Sequence, residues 1–217
     1  MRKRKDFIRR EEYKSSRLVV IAAEGRCTEN IYFISMKNNM CATSVHVKVL
    51  ERNDDKSSPE NVYNQIQGFK KEYDIADDDQ LWVVIDKDKW NDKTLSLIAQ
   101  LCTADDKLYF CVSNPCFELW LLLHLEDVSE YSEEDKKKLK ENKKPSRYKP
   151  TWLKGKLKQI MGSYNECNYD AEVLLKNIDI AIQRAKELDI NPHDRWPQDI
   201  GTRVYLLAQS IMDKTSE

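Results

Sequence analysis

Three acidic residues stand where an α/β protein would put them to use. Glu24 follows the apolar run Leu18–Ala23, and Asp86 and Asp88 follow the apolar run Leu81–Ile85. Carboxylate oxygens are hard donors that suit Mg2+ or Mn2+, ions that keep part of their water shell. Carboxylates packed together need a cation or a proton to coexist. Gly25 lets the backbone turn sharply and leaves room beside the Glu24 side chain. Plainer roles stay open at each position. Glu24 could cap the helix that follows, and an Asp after a strand is a common turn residue. A joint site requires that the two strands be neighbours.

The elements that must position these acids follow from apolar spacing. Leu18–Ala23 and Leu81–Ile85 are short, continuous and rich in β-branched residues, which predicts strands buried on both faces. Val45, Val47 and Val49 alternate with polar residues and predict a further strand, as does Lys107–Val112. Between them the spacing predicts helices. One covers Thr28–Met40 with Thr28 as N-cap. One opens at Ser58-Pro59-Glu60 with Val62, Ile66, Phe69 and Tyr73 inward. A third is capped by Asp92, with Leu95, Ile98 and Leu101 inward. Ser113-Asn114-Pro115 opens a fourth, apolar nearly all round and too short to span a bilayer. Regular alternation of strand and helix predicts a parallel sheet of about four strands covered on both faces. Ligands of such sheets bind beyond the carboxyl ends of the strands, where the strand order reverses. Glu24, Asp86 and Asp88 meet there if the order is 2-1-3-4.

The 217 residues support one substantial core with an appended helical part. Composition divides the chain into a basic arm at 1–17, an α/β core at 18–127, a basic insertion at 128–158 and C-terminal helices at 159–217. In the last part Ala171–Leu188 and Val204–Met212 have helical spacing. The net charge of −1 conceals a block, Lys136–Lys158, with eleven Lys and Arg against the one acid Glu141. Ser129–Pro150 is polar and is expected to pack loosely. No apolar run approaches the roughly 18 residues of a membrane span. No apolar segment follows the basic N-terminus, so a cytoplasmic protein without membrane contact is expected. The six cysteines (Cys27, Cys41, Cys102, Cys111, Cys116 and Cys167) include no C-x-x-C pair. Reduced, mostly buried thiols and no structural zinc are expected.

Basic side chains meet phosphates, and aromatic ones stack on exposed bases. Lys143, Lys144, Arg147, Lys149 and Lys154, interleaved with Tyr148 and Trp152, are therefore candidate nucleic-acid contacts, although such a run also serves as solvated surface. Lys149 is the leading candidate for a catalytic charge that stabilises a phosphate. Asn114 and Glu118 are four residues apart and could sit at a helix mouth beside the sheet edge. His124, set among leucines, is expected to be a satisfied, partly buried histidine.

A resemblance sharpens this picture. Leu18–Gly25 with Thr28-Glu29 and Tyr32-Phe33, then Val84–Asp88, then Ser113–His124 (SNPCFELWLLLH) resemble the RloB family. Trp196-Pro197 and Thr202–Leu207 extend the likeness toward the C-terminus. That family is associated with bacterial restriction loci and phage defence and is similar to TOPRIM domains. TOPRIM enzymes, among them topoisomerases, primases and overcoming-lysogenization-type nucleases, place a Glu after the first strand and a D-x-D after the third. The resemblance thus implies a TOPRIM-like sheet with Glu24, Asp86 and Asp88 as catalytic metal ligands. Glu29 is a further candidate ligand, with a helix-dipole role equally open to it. It implies Mg2+- or Mn2+-dependent hydrolysis of RNA (tRNA among the candidates) or DNA, and a partner ATPase. A non-catalytic binding module on the same fold is the alternative. A different Mg2+ enzyme has less support, because the chain lacks both a D-x-D-G-T motif and a G-x-x-x-x-G-K-[ST] loop.

Overall fold

The structure, a computed structural model, describes residues 16–51 and 58–214. Most of the basic arm, residues 1–15, lies outside the described residues. Four strands, β1 (Arg17–Ala23), β2 (Val45–Val49), β3 (Gln80–Asp86) and β4 (Leu108–Asn114), run parallel. A two-residue strand, β5 (Gly201–Thr202), pairs antiparallel with β4. The order is β2-β1-β3-β4-β5, so β1 and β3 are neighbours and the order reverses at them. The expected 2-1-3-4 order is present, with one short strand more than the sequence suggests.

Strand alternation divides the core in two. Val19, Ile21, Trp82, Val84 and Cys111 face one side, while Val20, Ala22, Leu81, Val83 and Ile85 face the other. The second side is covered by α2 (Pro59–Glu72) and α3 (Asp92–Thr103). The first is covered by α1 (Thr28–Asn39), α4 (Glu118–Leu123), α8 (Ile178–Leu188) and α9 (Val204–Ile211). Helix α4 is buried at every position, as its uniform apolarity requires.

Local details depart from the sequence pattern. Ser58 caps α2 as expected, accepting from Asn61 N–H. Helix α3 is capped by Asn91, whose side chain accepts from Thr94 N–H, and Asp92 is its first residue. Leu101 lies outward, and Ala99 and Cys102 complete the inner face of α3. Thr28 is not the N-cap of α1; its hydroxyl donates to the Glu166 carbonyl at 3.2 Å. Strand β4 runs on through Ser113-Asn114, so α4 starts only at Glu118. Ala171–Leu188 is two helices, α7 (Ala171–Leu175) and α8, broken at Lys176-Asn177, and Val173 faces out.

The basic insertion is not loosely packed throughout. It holds a 3-10 turn at Val128–Glu130, helix α5 (Glu133–Glu141) and the start of α6 (Trp152–Met161). Leu139, Leu153 and Leu157 are fully buried in the larger core. Asn142 ends α5 in the left-handed region at φ 41°. Its buried amide reaches Cys116 Sγ at 3.2 Å and accepts from Leu153 N–H at 3.0 Å. The physical reason is spacing: a few leucines among many lysines suffice to anchor a helix whose outer face stays charged. Only 143–150 remains an exposed loop. The C-terminal helices share the larger core. Strand β5 extends the sheet, and the buried Arg203 guanidinium bridges Asp189 (3.1 and 3.3 Å) and the Asp194 carbonyl (2.6 Å).

Truncating Leu139 to Ala should cost about 2–5 kcal/mol in urea unfolding. A loss below about 0.5 kcal/mol would mean that α5 is peripheral.

Candidate active site

The carboxyl ends of β1 and β3 open into a cleft of about 580 Å3. Its acidic wall is Glu29, Asp86, Asp88 and Glu118, and cations Lys89, Lys144 and Lys154 line it as well. Glu29, on the first turn of α1, is 4% exposed; Asp86, at the end of β3, is 9% exposed; Glu118, opening α4, is 5% exposed.

Asp86 and Glu29 are held by backbone donors and Glu118 by side chains. Asp86 Oδ1 accepts from Phe117 N–H at 2.8 Å. Glu29 Oε1 accepts from Gly25 N–H at 3.0 Å. A Cβ at residue 25 would collide with the Glu29 carboxylate, so glycine is needed there for close approach rather than for an unusual φ. Glu118 Oε1 accepts from Tyr164 O–H at 3.4 Å and faces Lys154 Nζ at 3.6 Å.

Glu24 is placed differently. It follows Ala23, the last residue of β1, in the bend that leads to α1, whereas Asp86 is the last residue of β3. Its carboxylate, 2% exposed, accepts from Trp90 Nε1 at 2.9 Å and Asp86 N–H at 3.4 Å, and pairs with Lys89 Nζ at 3.2 Å. Glu24 thus ties the turn after β3 to the end of β1 and backs the cleft. It does not line the cleft. Trp90 and Lys89 carry no signal in sequence beyond their position after the D-x-D.

Burial and like charge raise the acidic pKa values. Burial, then repulsion from Glu118 and Glu24, pushes Glu29 up to about 7. Burial, then Glu29, Glu118 and Glu24, raises Asp86 well above the carboxylate range, against the pull of Lys89. Asp88 is raised chiefly by burial, with Glu24 and Glu118 adding to it. Burial opposes the charge on Lys89, but Glu24, Asp86 and Asp88 outweigh it, and its pKa rises.

Among the described residues, no three His, Cys, Asp or Glu side chains form a ready-made metal cage. The chemistry of the donor set nevertheless fits a hard cation that retains water: buried carboxylates, mutually repelling, on the wall of an open cleft. His124 is excluded from any such role. It is 1% exposed and bonded to the Trp120 carbonyl (2.8 Å) and Tyr32 O–H (3.0 Å), and burial lowers its pKa to about 4.

A family model described as RloB-like protein matches residues 19–211, a stretch that contains the whole cleft. This chain belongs to the RloB-like family. No curated protein and no solved structure matches it significantly.

In this RloB-like chain the remaining expected contacts separate. Lys144 and Lys154 reach the acidic cleft, where Lys154 also pairs with Glu166. Lys149 lines a second cleft instead. Arg147 stacks near the exposed Tyr148 ring, and Lys143 pairs with Glu141 at 3.1 Å. Asn114 is engaged with the Pro197 carbonyl at 3.0 Å, away from the cleft. The expectation of wholly reduced cysteines is overturned. Cys27, before α1, and Cys167 form a disulfide on the cleft rim, 140 residues apart in sequence. Two bonds bring their segments together, Thr28 Oγ1 to the Glu166 carbonyl and Tyr169 O–H to the Thr28 carbonyl (2.8 Å). Neither compartment nor spacing could reveal that proximity. The other four cysteines are free. Among the described residues no helix is long and apolar enough to cross a membrane.

A raised carboxyl pKa stabilises the fold below its ordinary value and loses that contribution as pH climbs through its folded value. In EDTA, Glu29→Gln should therefore gain on the parent by about 2–3 kcal/mol between about pH 5 and pH 8. A pH-independent difference in urea unfolding would refute the raised pKa.

Proposed function

We propose that this protein is a metal-dependent nuclease that hydrolyses phosphodiester bonds of RNA or DNA as an effector of bacterial phage defence. The observation that carries this reading is the set of acids, buried Glu29, Asp86 and Glu118 with exposed Asp88, on one wall of an open cleft at the reversal of strand order. The family and its TOPRIM resemblance supply the reaction class and the defence setting. The family resemblance also suggests a partner ATPase, and a cytoplasmic setting is part of the same proposal.

Asp86 and Asp88 are the first candidates to hold Mg2+ or Mn2+, with Glu29 and Glu118 completing its surroundings. Such an ion, once bound, would polarise a phosphate and lower the pKa of a bound water. Asp86 lines the cleft while its Oδ1 accepts from Phe117 N–H, which fixes the carboxylate in place. Glu24 fixes the Asp86–Trp90 turn and keeps Lys89 at the site. Lys89, Lys144 and Lys154 offset the repulsion between the acids and a polyanionic substrate. Glu29, with a pKa of about 7, is able to exchange a proton near neutral pH.

One observation favours a non-catalytic module instead. Glu24, the acid that TOPRIM enzymes use for metal or proton transfer, is engaged by Trp90, Lys89 and Asp86 N–H. Catalysis without it would then rest on Glu29 and Glu118.

Purified protein incubated with tRNA, total RNA, plasmid and single-stranded DNA should cleave at least one of them with Mn2+ and none with EDTA. Asp86→Asn should lower the rate by more than about 100-fold. Cleavage unaffected by Asp86→Asn would remove the cleft from the mechanism, and no cleavage of any substrate would favour the binding module.

A further inference from the structure

The second cleft is built differently from the first. It encloses about 400 Å3 between α5, the loop after it and α6. Its walls are aromatic and cationic: Tyr131, Trp152, Lys149 and Lys156. Tyr131 and Trp152 meet edge to face, with centroids 6.2 Å apart, and Lys156 Nζ stands 5.3 Å from the Tyr131 ring centre. Lys156 is neutralised by Glu126 at 3.0 Å, and Asp135, also on the wall, is drawn to Lys138 and Ser132. Lys149 makes no ion pair among the described residues. Nor do Lys144 and Arg147, its neighbours on the exposed loop.

The two clefts share a lining residue. Thr151 lines both of them. It is the N-cap of α6, yet its side chain makes no capping bond, and its buried Oγ1 lacks a hydrogen-bond partner among the described residues. The first turn of α6 carries no acid, so its positive dipole end is uncompensated. The α6 N-terminus, with Lys144 in one cleft and Lys149 in the other, makes the boundary between the clefts a place for a phosphate.

We propose that the second cleft is a nucleobase subsite for a single nucleic-acid strand. The strand's backbone crosses the boundary at Thr151 and enters the acidic cleft. A base unstacked from its neighbours rests on the Trp152 ring. Lys149 and the α6 N-terminus take the phosphate between that base and the acidic cleft. Paired duplex hides its base faces, so the recessed aromatic wall selects for unpaired nucleotides. This deepens the nuclease reading by naming its substrate class, and it rests on that reading only for what happens in the acidic cleft.

Binding is measured in EDTA on the full chain carrying Asp86→Asn, so no cleavage enters. The probes are fluorescein-labelled oligothymidylate and oligouridylate of about 12 nucleotides, and a duplex of the same length. At least one single strand should bind more tightly than the duplex. Trp152→Ala should weaken it by about 5- to 150-fold, the range expected for one stacked base. Trp152→Phe should restore most of the affinity. Lys149→Ala should reduce the slope of log affinity against log salt by about 0.7 for a single strand, a change that altered packing would not produce. Circular dichroism melting accompanies each variant. Single strands that bind Trp152→Ala, Lys149→Ala and the parent equally, with unchanged salt slopes, would overturn the subsite, as would equal affinity for duplex. A protein that binds strands in this way but never cleaves would overturn the nuclease reading and leave the subsite standing.

Discussion

Four carboxylates buried against one another are the constraint around which the rest of this structure is arranged. Glu24, Glu29, Asp86 and Glu118 are each less than a tenth exposed, and Asp88 adjoins them. In a low-dielectric setting such a group cannot be fully ionised without counter-charge. The fold answers partly with fixed dipoles. Phe117 N–H serves Asp86, Gly25 N–H serves Glu29 and Asp86 N–H serves Glu24. It answers partly with Lys89, drawn to three of the acids. The rest of the imbalance shows as raised carboxyl pKa values, and a divalent cation would relieve it.

The same constraint explains why the sheet alone does not make the site. Parallel β1 and β3 bring Glu24 and Asp86 to one edge, where the Glu24 carboxylate accepts from Asp86 N–H at 3.4 Å. The cleft lies on the face of α1 and α4, and those helices contribute Glu29 and Glu118 from their first turns. The buried apolar length of α4 fixes Glu118 in place; this is the structural use of a stretch that stands out in the sequence. The basic loop after Asn142 is then held over the cleft by that one buried amide, which joins the ends of three helices.

Much of this was legible because it depends on period and position. Continuous β-branched runs marked β1 and β3, the strand-helix alternation marked a parallel sheet, and an acid after each strand marked the edge. What escaped depends on three-dimensional neighbours. Asn91 competes with Asp92 for the α3 cap, and only the backbone path decides between them. The break between α7 and α8 lies within an unbroken helical period. The Cys27–Cys167 disulfide joins residues that no local pattern relates. Lys149, beside Tyr148, is the leading sequence candidate for a phosphate-stabilising charge. The turn of the chain instead sends Lys144 and Lys154 to the acids and Lys149 to the aromatic cleft.

The central claim is that the acidic cleft holds a divalent cation through Asp86. Isothermal titration of Mn2+ into the metal-free protein tests it without any substrate. The parent should show saturable binding at the cleft, and Asp86→Asn, with its fold confirmed by circular dichroism, should bind at least about 10-fold more weakly. Equal binding by both proteins, or no saturable binding by the parent, would contradict the account.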